Sequence, residues 1–285
     1  MKILMTGAAG MLGTDLRKAL EPEHELVLTD IVGDVRHLDI TDTEQVLAET
    51  NGAQPDLVIH SAAYTDVDGC ERNPDKAYRV NALGTWNVAA ASLVCDAAML
   101  YISTDFVFDG EKGEPYTEYD GTHPISHYGA SKLAGESHVR ALCPAHYIVR
   151  SAWLYGEKGK NFPLTILGAA KSRKDLKVVA DQVGSPTFTA DLASAIRDLV
   201  SSPLYGTYHI TNKGSCSWYE FAKKALEYAG MTDITVEPIK AEDWPTPTRR
   251  PRCSVLRHYA LELQGKDNMR PWDEALKDFI SRLNL

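Results

Sequence analysis

Near the start of the chain, the apolar run Ile3-Leu4-Met5 leads directly into Gly7-Ala8-Ala9-Gly10-Met11-Leu12-Gly13. An amphipathic stretch follows, with Leu12, Leu16, Ala19 and Leu20 spaced for one helical face. A buried strand, a glycine-rich turn and a helix in that order restrict the fold more than any other feature of the chain. The glycines permit a tight turn and close approach of a ligand, and the helix start offers unpaired N–H groups and the positive end of a dipole. The spacing G-x-x-G-x-x-G is one residue longer than the common dinucleotide fingerprint, and it stands in that fingerprint's strand–turn–helix context. Gly7, Gly10, Met11, Leu12 and Gly13 are therefore candidate cofactor-binding residues.

The rest of the first half repeats the pattern. Leu26-Val27-Leu28, Leu57-Val58-Ile59, Met99-Leu100-Tyr101-Ile102 and Tyr147-Ile148-Val149 read as strands apolar throughout. Helical stretches are expected over 42–51, 77–94 and 132–142. Strands without polar alternation, separated by helices, predict an α/β fold: a doubly wound parallel sheet covered on both faces. After Arg150 the strands shorten and prolines increase. Helices are still expected over 191–200, 218–229 and 272–283, and the proline-rich run from Trp244 to Arg252 reads as a loop. Residues 1–150 are thus expected to form a Rossmann-type dinucleotide domain to which some later segments return. Residues 151–285 are expected to form mainly a smaller α/β substrate-binding lobe.

Two acidic residues fall where a dinucleotide's adenosine end would lie. Asp30 closes the second strand, where a carboxylate accepts from ribose hydroxyls and repels a 2′-phosphate; it can equally serve as a turn residue before Gly33. No arginine follows it, which favours NADH over NADPH on chemical grounds, and the cofactor expected is NADPH or NADH. Asp39, in Leu38-Asp39-Ile40, can bind an adenine amino group or cap the next helix, and Ile40 is placed with it at the cofactor.

Ser103-Thr104-Asp105 ends the fourth main strand, at the edge where open parallel sheets bind ligands. Tyr128 and Lys132, four apart, share one helical face. An ammonium beside a phenol stabilises the phenolate, so Lys132 is expected to lower the Tyr128 pKa. Tyr128 then gives a proton to a carbonyl oxygen that Thr104 also hydrogen-bonds. Thr104, Tyr128 and Lys132 are the candidate catalytic residues.

In these motifs, together with His60-Ser61-Ala62-Ala63 and Val80-Asn81-Ala82, the sequence resembles the extended short-chain dehydrogenase/reductase family over nearly its whole length. The resemblance implies that Ala62, Ala63 and Tyr64 border the cofactor and that Asn81 supports the central strand and the site. The runs Ala62-Ala63-Tyr64-Thr65-Asp66-Val67-Asp68, Ser103 to Gly110, Arg150 to Gly156, Asp181 to Thr187 and Arg249-Arg250-Pro251-Arg252 are similar to those of the family's reductases of dTDP-linked 4-keto-6-deoxysugars. The implied reaction reduces the 4-keto group and gives dTDP-L-rhamnose. Val67, Thr104, Asp105, Tyr128 and Trp153 would meet the sugar, and Arg249 and Arg250 would hold its diphosphate, unless they belong to a solvated basic turn. Trp153 can instead be core.

Related 4,6-dehydratases carry Asp-Glu after the site threonine. Here Asp105 is followed by Phe106, which disfavours dehydration. Some related reductases carry magnesium at a dimer interface; the matching run here, Thr189-Ala190-Asp191 with Asp15, has alanine where a carboxylate is expected, so no metal is expected. The alternatives are a reductase or epimerase of another nucleotide sugar, and a non-catalytic dinucleotide-binding subunit resembling the beta subunit of methionine adenosyltransferase. A net charge of -9 argues against a nucleic-acid partner. Five cysteines with no paired spacing, no leader and no long apolar run suggest a cytoplasmic, reduced protein, a monomer or homodimer without membrane contact.

Overall fold

Seven parallel strands make the central sheet. In chain order they are β1 (Lys2–Thr6), β2 (Glu25–Asp30), β3 (Arg36–His37), β4 (Leu57–His60), β5 (Ala98–Thr104), β6 (His146–Ser151) and the later strand Gly206–His209. Across the sheet the order is Gly206–His209, β6, β5, β4, β1, β2, β3. The computed structural model describes residues 1–244 and 246–283. Pro245, inside the expected loop, lies outside the described residues, as do Asn284 and Leu285.

Successive side chains of a strand point to opposite faces, and both faces are buried here. Ile3 and Met5 of β1 pack with Leu12 and Leu16 of α1 (Met11–Leu20) and with Leu192 and Ile196 of the helix Thr189–Val200. Leu4 points the other way. It packs with Val46 of α2 (Thr43–Ala53), and the same cluster takes in residues of the helices that precede and follow β5. Each such aliphatic side chain contributes roughly 1.5–3 kcal/mol on burial, which is why the strands carry no polar alternation.

Between β4 and β5 the structure departs from the expected continuous helix over 77–94. After α3 (Val67–Arg72), the chain forms α4 (Pro74–Tyr78), a π-helical segment Arg79–Gly84, and α5 (Thr85–Val94). The wider turn swings Asn81 inward, and Gly84 leaves room for Ile40, whose Cδ1 would stand 2.8 Å from a Cβ there. Apolar periodicity runs through all three pieces, so it cannot report the change of pitch. Helix α6 (His127–Leu142) also begins earlier than expected. Ser126 caps it by accepting from the Gly129 N–H, so Tyr128 stands in its first turn.

The later residues divide between sheet and lobe. The strand Gly206–His209 pairs with Tyr147 to Arg150 of β6, and the helix Thr189–Val200 packs on α1. The remainder centres on Tyr155, Phe188, Phe221, Leu276 and Phe279. There the helix Trp218–Tyr228 starts from a capping box of Ser217 with Glu220. All five cysteines are free, and among the described residues no helix is long and apolar enough to cross a membrane.

Candidate active site

At the carboxyl ends of β1, β4 and β5 the chain encloses a cleft of about 670 Å³, on the side of the sheet where its strand order reverses. Gly7 sits at φ +74°, and a Cβ on it would stand 2.5 Å from the Ala62 nitrogen. A Cβ on Gly13 would overlap the Gly7 carbonyl oxygen. Gly10 caps α1 without a side-chain bond, and no acidic residue occupies the first turn of that helix. Gly7, Gly10, Met11, Leu12 and Gly13 all line the cleft. A cradle that any side chain would fill, beside an uncapped helix start, fits a dinucleotide diphosphate.

Asp30 lines the same cleft and also braces it. Its carboxylate accepts from the Ala9 N–H at 3.0 Å and from the Val32 N–H at 3.3 Å. Asp39 and Ile40 line it too. Asp39 accepts from the backbone and hydroxyl of Thr41 at 2.9 and 2.8 Å, while Asp42 caps α2 through the Gln45 N–H. Capping of that helix is therefore not the work of Asp39.

Ala62 and Ala63 form part of the wall, whereas Tyr64 and Asn81 stand behind it. The Asn81 amide accepts from the Tyr64 N–H at 2.8 Å and donates to the Tyr64 carbonyl and the Ser131 hydroxyl, each at 3.1 Å. Ser131 lies between Tyr128 and Lys132. Asn81 thus ties the loop after β4 to the helix that carries the tyrosine and lysine. The π-helical segment is what aims it there.

Thr104, Tyr128 and Lys132 meet in the cleft. Gly129 lets the first turn of α6 press on the Phe106 backbone, where a Cβ would overlap the Phe106 carbonyl oxygen. The Tyr128 ring meets Phe106 edge-on, with centroids 5.5 Å apart. Lys132 is 3% exposed, and its ammonium lies 4.1 Å from the centre of the Tyr101 ring. Burial brings its pKa down to about 7, against an upward pull from Glu136. The expected lowering of the Tyr128 pKa is not what the structure gives. Burial, with the charge of Asp105, holds the phenol well above its ordinary value, and the Thr104 hydroxyl pulls it the other way. The physical reason is that a desolvated phenol resists ionisation, while the lysine charge is seated over Tyr101. The phenol keeps its proton until a more basic oxygen, such as a forming alkoxide, takes it.

Asp105 is 2% exposed and accepts from Ser254 at 2.5 Å and from Thr104 at 3.1 Å. Burial pushes its pKa up to about 6. The bond to Ser254 fastens the end of β5 to a strap from the C-terminal part of the chain. The same strap donates from Thr248 to the Val67 carbonyl and from Arg250 to Asp68 at 3.0 Å. Val67 and Arg250 line the cleft; Arg249 is exposed and does not.

Trp153 lines the opposite wall at φ +47°, a left-handed backbone that tryptophan rarely adopts. Its indole stacks on Trp218 with centroids 3.4 Å apart and planes 7° from parallel. Trp218 and Lys160 also line the cleft, and the sequence reading found neither. No local pattern could have, since the stack joins residues far apart in the chain. A buried cluster beneath α6 was missed as well. Glu136, fully buried, accepts from Ser103 at 2.6 Å and from Arg140 and Arg150 at 2.8 Å. Lys132, Glu136 and Arg140 at four-residue spacing were its one sequence signal.

Comparison with known proteins agrees along the full length. The family described as RmlD substrate binding domain matches residues 1–285. The structure is similar to that of a dTDP-4-dehydrorhamnose reductase from Clostridium acetobutylicum, with 47% identity, full coverage of both chains and a TM-score of 0.96. It is also similar to a dTDP-4-dehydrorhamnose reductase from Bacillus anthracis solved in complex with NADP, with 44% identity, 99% of each chain covered and a TM-score of 0.95. The spore coat polysaccharide biosynthesis protein SpsK of Bacillus subtilis is 41% identical over 283 residues, 98% of this chain and 96% of that protein.

Proposed function

This chain belongs to the RmlD substrate binding domain family, and on that premise we propose that it reduces the 4-keto group of dTDP-4-dehydro-L-rhamnose to give dTDP-L-rhamnose, using NADPH or NADH. The observation that carries the reading is the convergence of Thr104, Tyr128 and Lys132 in one cleft with an uncapped, glycine-built helix start. The relatives named as reductases of this sugar, one of them solved with NADP, support it.

The nicotinamide, when bound, supplies a hydride to the sugar C4. Tyr128 donates its phenolic proton to the ketone oxygen as charge develops there, and the Thr104 hydroxyl, turned from Asp105, donates a hydrogen bond to the same oxygen. General acid help of this kind is worth roughly 10²–10⁴-fold. The phenolate left behind recovers its proton from solvent, while the Lys132 ammonium, seated over Tyr101, supplies positive charge to the same cleft. Gly7 to Gly13 cradle the dinucleotide diphosphate, and Ala62 and Ala63 border it. Asn81 acts through Tyr64 and Ser131 as a positioning residue. Val67, Trp153 and Trp218 flank the sugar, and Arg250 reaches its diphosphate by exchanging Asp68 for phosphate oxygens. In this division residues 1–150 hold the cofactor and residues 151–285 mainly hold the sugar nucleotide.

The test is oxidation of NADPH and of NADH by the purified protein with dTDP-4-dehydro-L-rhamnose, with UDP- and GDP-linked ketosugars alongside. Turnover restricted to the dTDP-linked sugar is the expected result. Cofactor binding with no oxidation of any ketosugar would sink the reading and leave a binding subunit.

A further inference from the structure

The Lys132 ammonium is buried, and its neighbour is an aromatic face. We propose that Tyr101 is the positioning residue of Lys132, seating the ammonium on its ring and holding the same residue's backbone through its hydroxyl.

Both contacts come from one side chain. The ammonium lies 4.1 Å from the Tyr101 ring centre, within cation–π range. The Tyr101 hydroxyl donates to the Lys132 carbonyl at 3.3 Å. Gly135 makes this possible, because a Cβ there would overlap the hydroxyl. Tyr101 is itself fully buried, so the ring cannot turn away. His60 stacks on it with centroids 5.5 Å apart. A charged imidazole there would compete for the ring face, but burial, aided by Lys132, brings the His60 pKa down to about 3 and keeps it neutral. The Thr6 hydroxyl at 2.6 Å and the Thr85 hydroxyl at 3.0 Å hold its two ring nitrogens.

The titratable groups facing Lys132 are Glu136 and Tyr128 on its own helix, Tyr101 on β5 and His60 on β4. Glu136 is engaged by Arg150, Arg140 and Ser103, and Tyr128 and His60 are neutral. The ring face therefore favours the charged form of the ammonium, against the burial that disfavours it, and aims it at the cleft. Its consequence for turnover rests on the proposed reductase reading; the seating itself does not.

The test titrates Lys132 directly by NMR in the unliganded protein labelled with carbon-13 lysine, the signal assigned with Lys132→Arg. Tyr101→Leu removes the ring and Tyr101→Phe removes only the hydroxyl; Tyr101→Met is a second ring-free variant if the leucine does not fold. The ring-free variant is expected to lower the Lys132 pKa by about one unit, and Tyr101→Phe to leave it in place. The alkaline limb of kcat/KM should move down with it. Equal shifts in the phenylalanine and ring-free variants, or no shift in a folded ring-free variant, would overturn the proposal. If the reductase reading alone is wrong, no variant turns over, yet the titrations still separate.

Discussion

Arg150 grips Glu136 through two guanidinium nitrogens, at 2.9 and 2.8 Å, where neither side chain meets solvent. The pair fastens β6 to the helix carrying Tyr128 and Lys132. Removing one partner leaves the other charge buried and unpaired, which typically costs 3–5 kcal/mol. Glu136→Ala is expected to destabilise by about that amount, and chemical denaturation measures it. Burial raises the Glu136 pKa, but its bonds to Arg150, Ser103 and the charge of Arg140 outweigh it and hold the folded value below the ordinary one. A depressed carboxylate contributes stability above its unfolded pKa, and that stability is lost as pH falls through the folded value. Glu136→Gln should therefore flatten the acid limb of the stability–pH curve.

Tyr128→Phe is expected to cut kcat roughly 10²–10⁴-fold with cofactor affinity nearly unchanged. In the wild type, kcat/KM should fall as pH rises through about 7, where Lys132 loses its charge. Steady-state kinetics across pH, with cofactor titrations by fluorescence, check both. Normal turnover in Tyr128→Phe would reassign the donor.

Asp105 gives a prediction of opposite sign to Glu136. Its folded pKa, about 6, lies above the ordinary carboxylate value of 3.8, so the cost of ionising Asp105 in the fold builds up as pH rises from about 4 to about 6 and stays constant above that. Asp105→Asn avoids that cost. Its melting temperature relative to wild type should improve between pH 4 and pH 8, and a flat difference across that range would mean that the bonds to Thr104 and Ser254 already offset burial.

Asp30→Ala tests cofactor choice. Removing a carboxylate that repels a 2′-phosphate should move the kcat/KM ratio toward NADPH on the order of tenfold, or about 1.4 kcal/mol. The lost bonds to Ala9 and Val32 should also cost about 1 kcal/mol of stability. An unchanged ratio would make Asp30 a brace for the loop alone.

The Trp153–Trp218 stack gives a separable kinetic signature. Trp218→Leu should raise KM for the sugar nucleotide severalfold, hold kcat within about twofold and abolish the circular-dichroism couplet of two stacked indoles, because the stack shapes the ground-state wall. A fall in kcat with KM unchanged would place the stack in the transition state instead.

By itself the sequence determined the parallel sheet, the glycine cradle and the order of Thr104, Tyr128 and Lys132. These are local properties: runs of apolar residues without polar alternation, glycines spaced through a turn between strand and helix, and a four-residue spacing on a helix. The tertiary structure decided what depends on neighbours far along the chain. It seated Lys132 over Tyr101 rather than against Tyr128, turned Asn81 inward through a π-helical segment, stacked Trp218 on Trp153 and buried Glu136 against Arg150. The raised Tyr128 pKa belongs to the same group. A charge on a helix face can be read from spacing, but its effect depends on the solvent it loses and the partner it gains, and both are set only when the strands and helices pack.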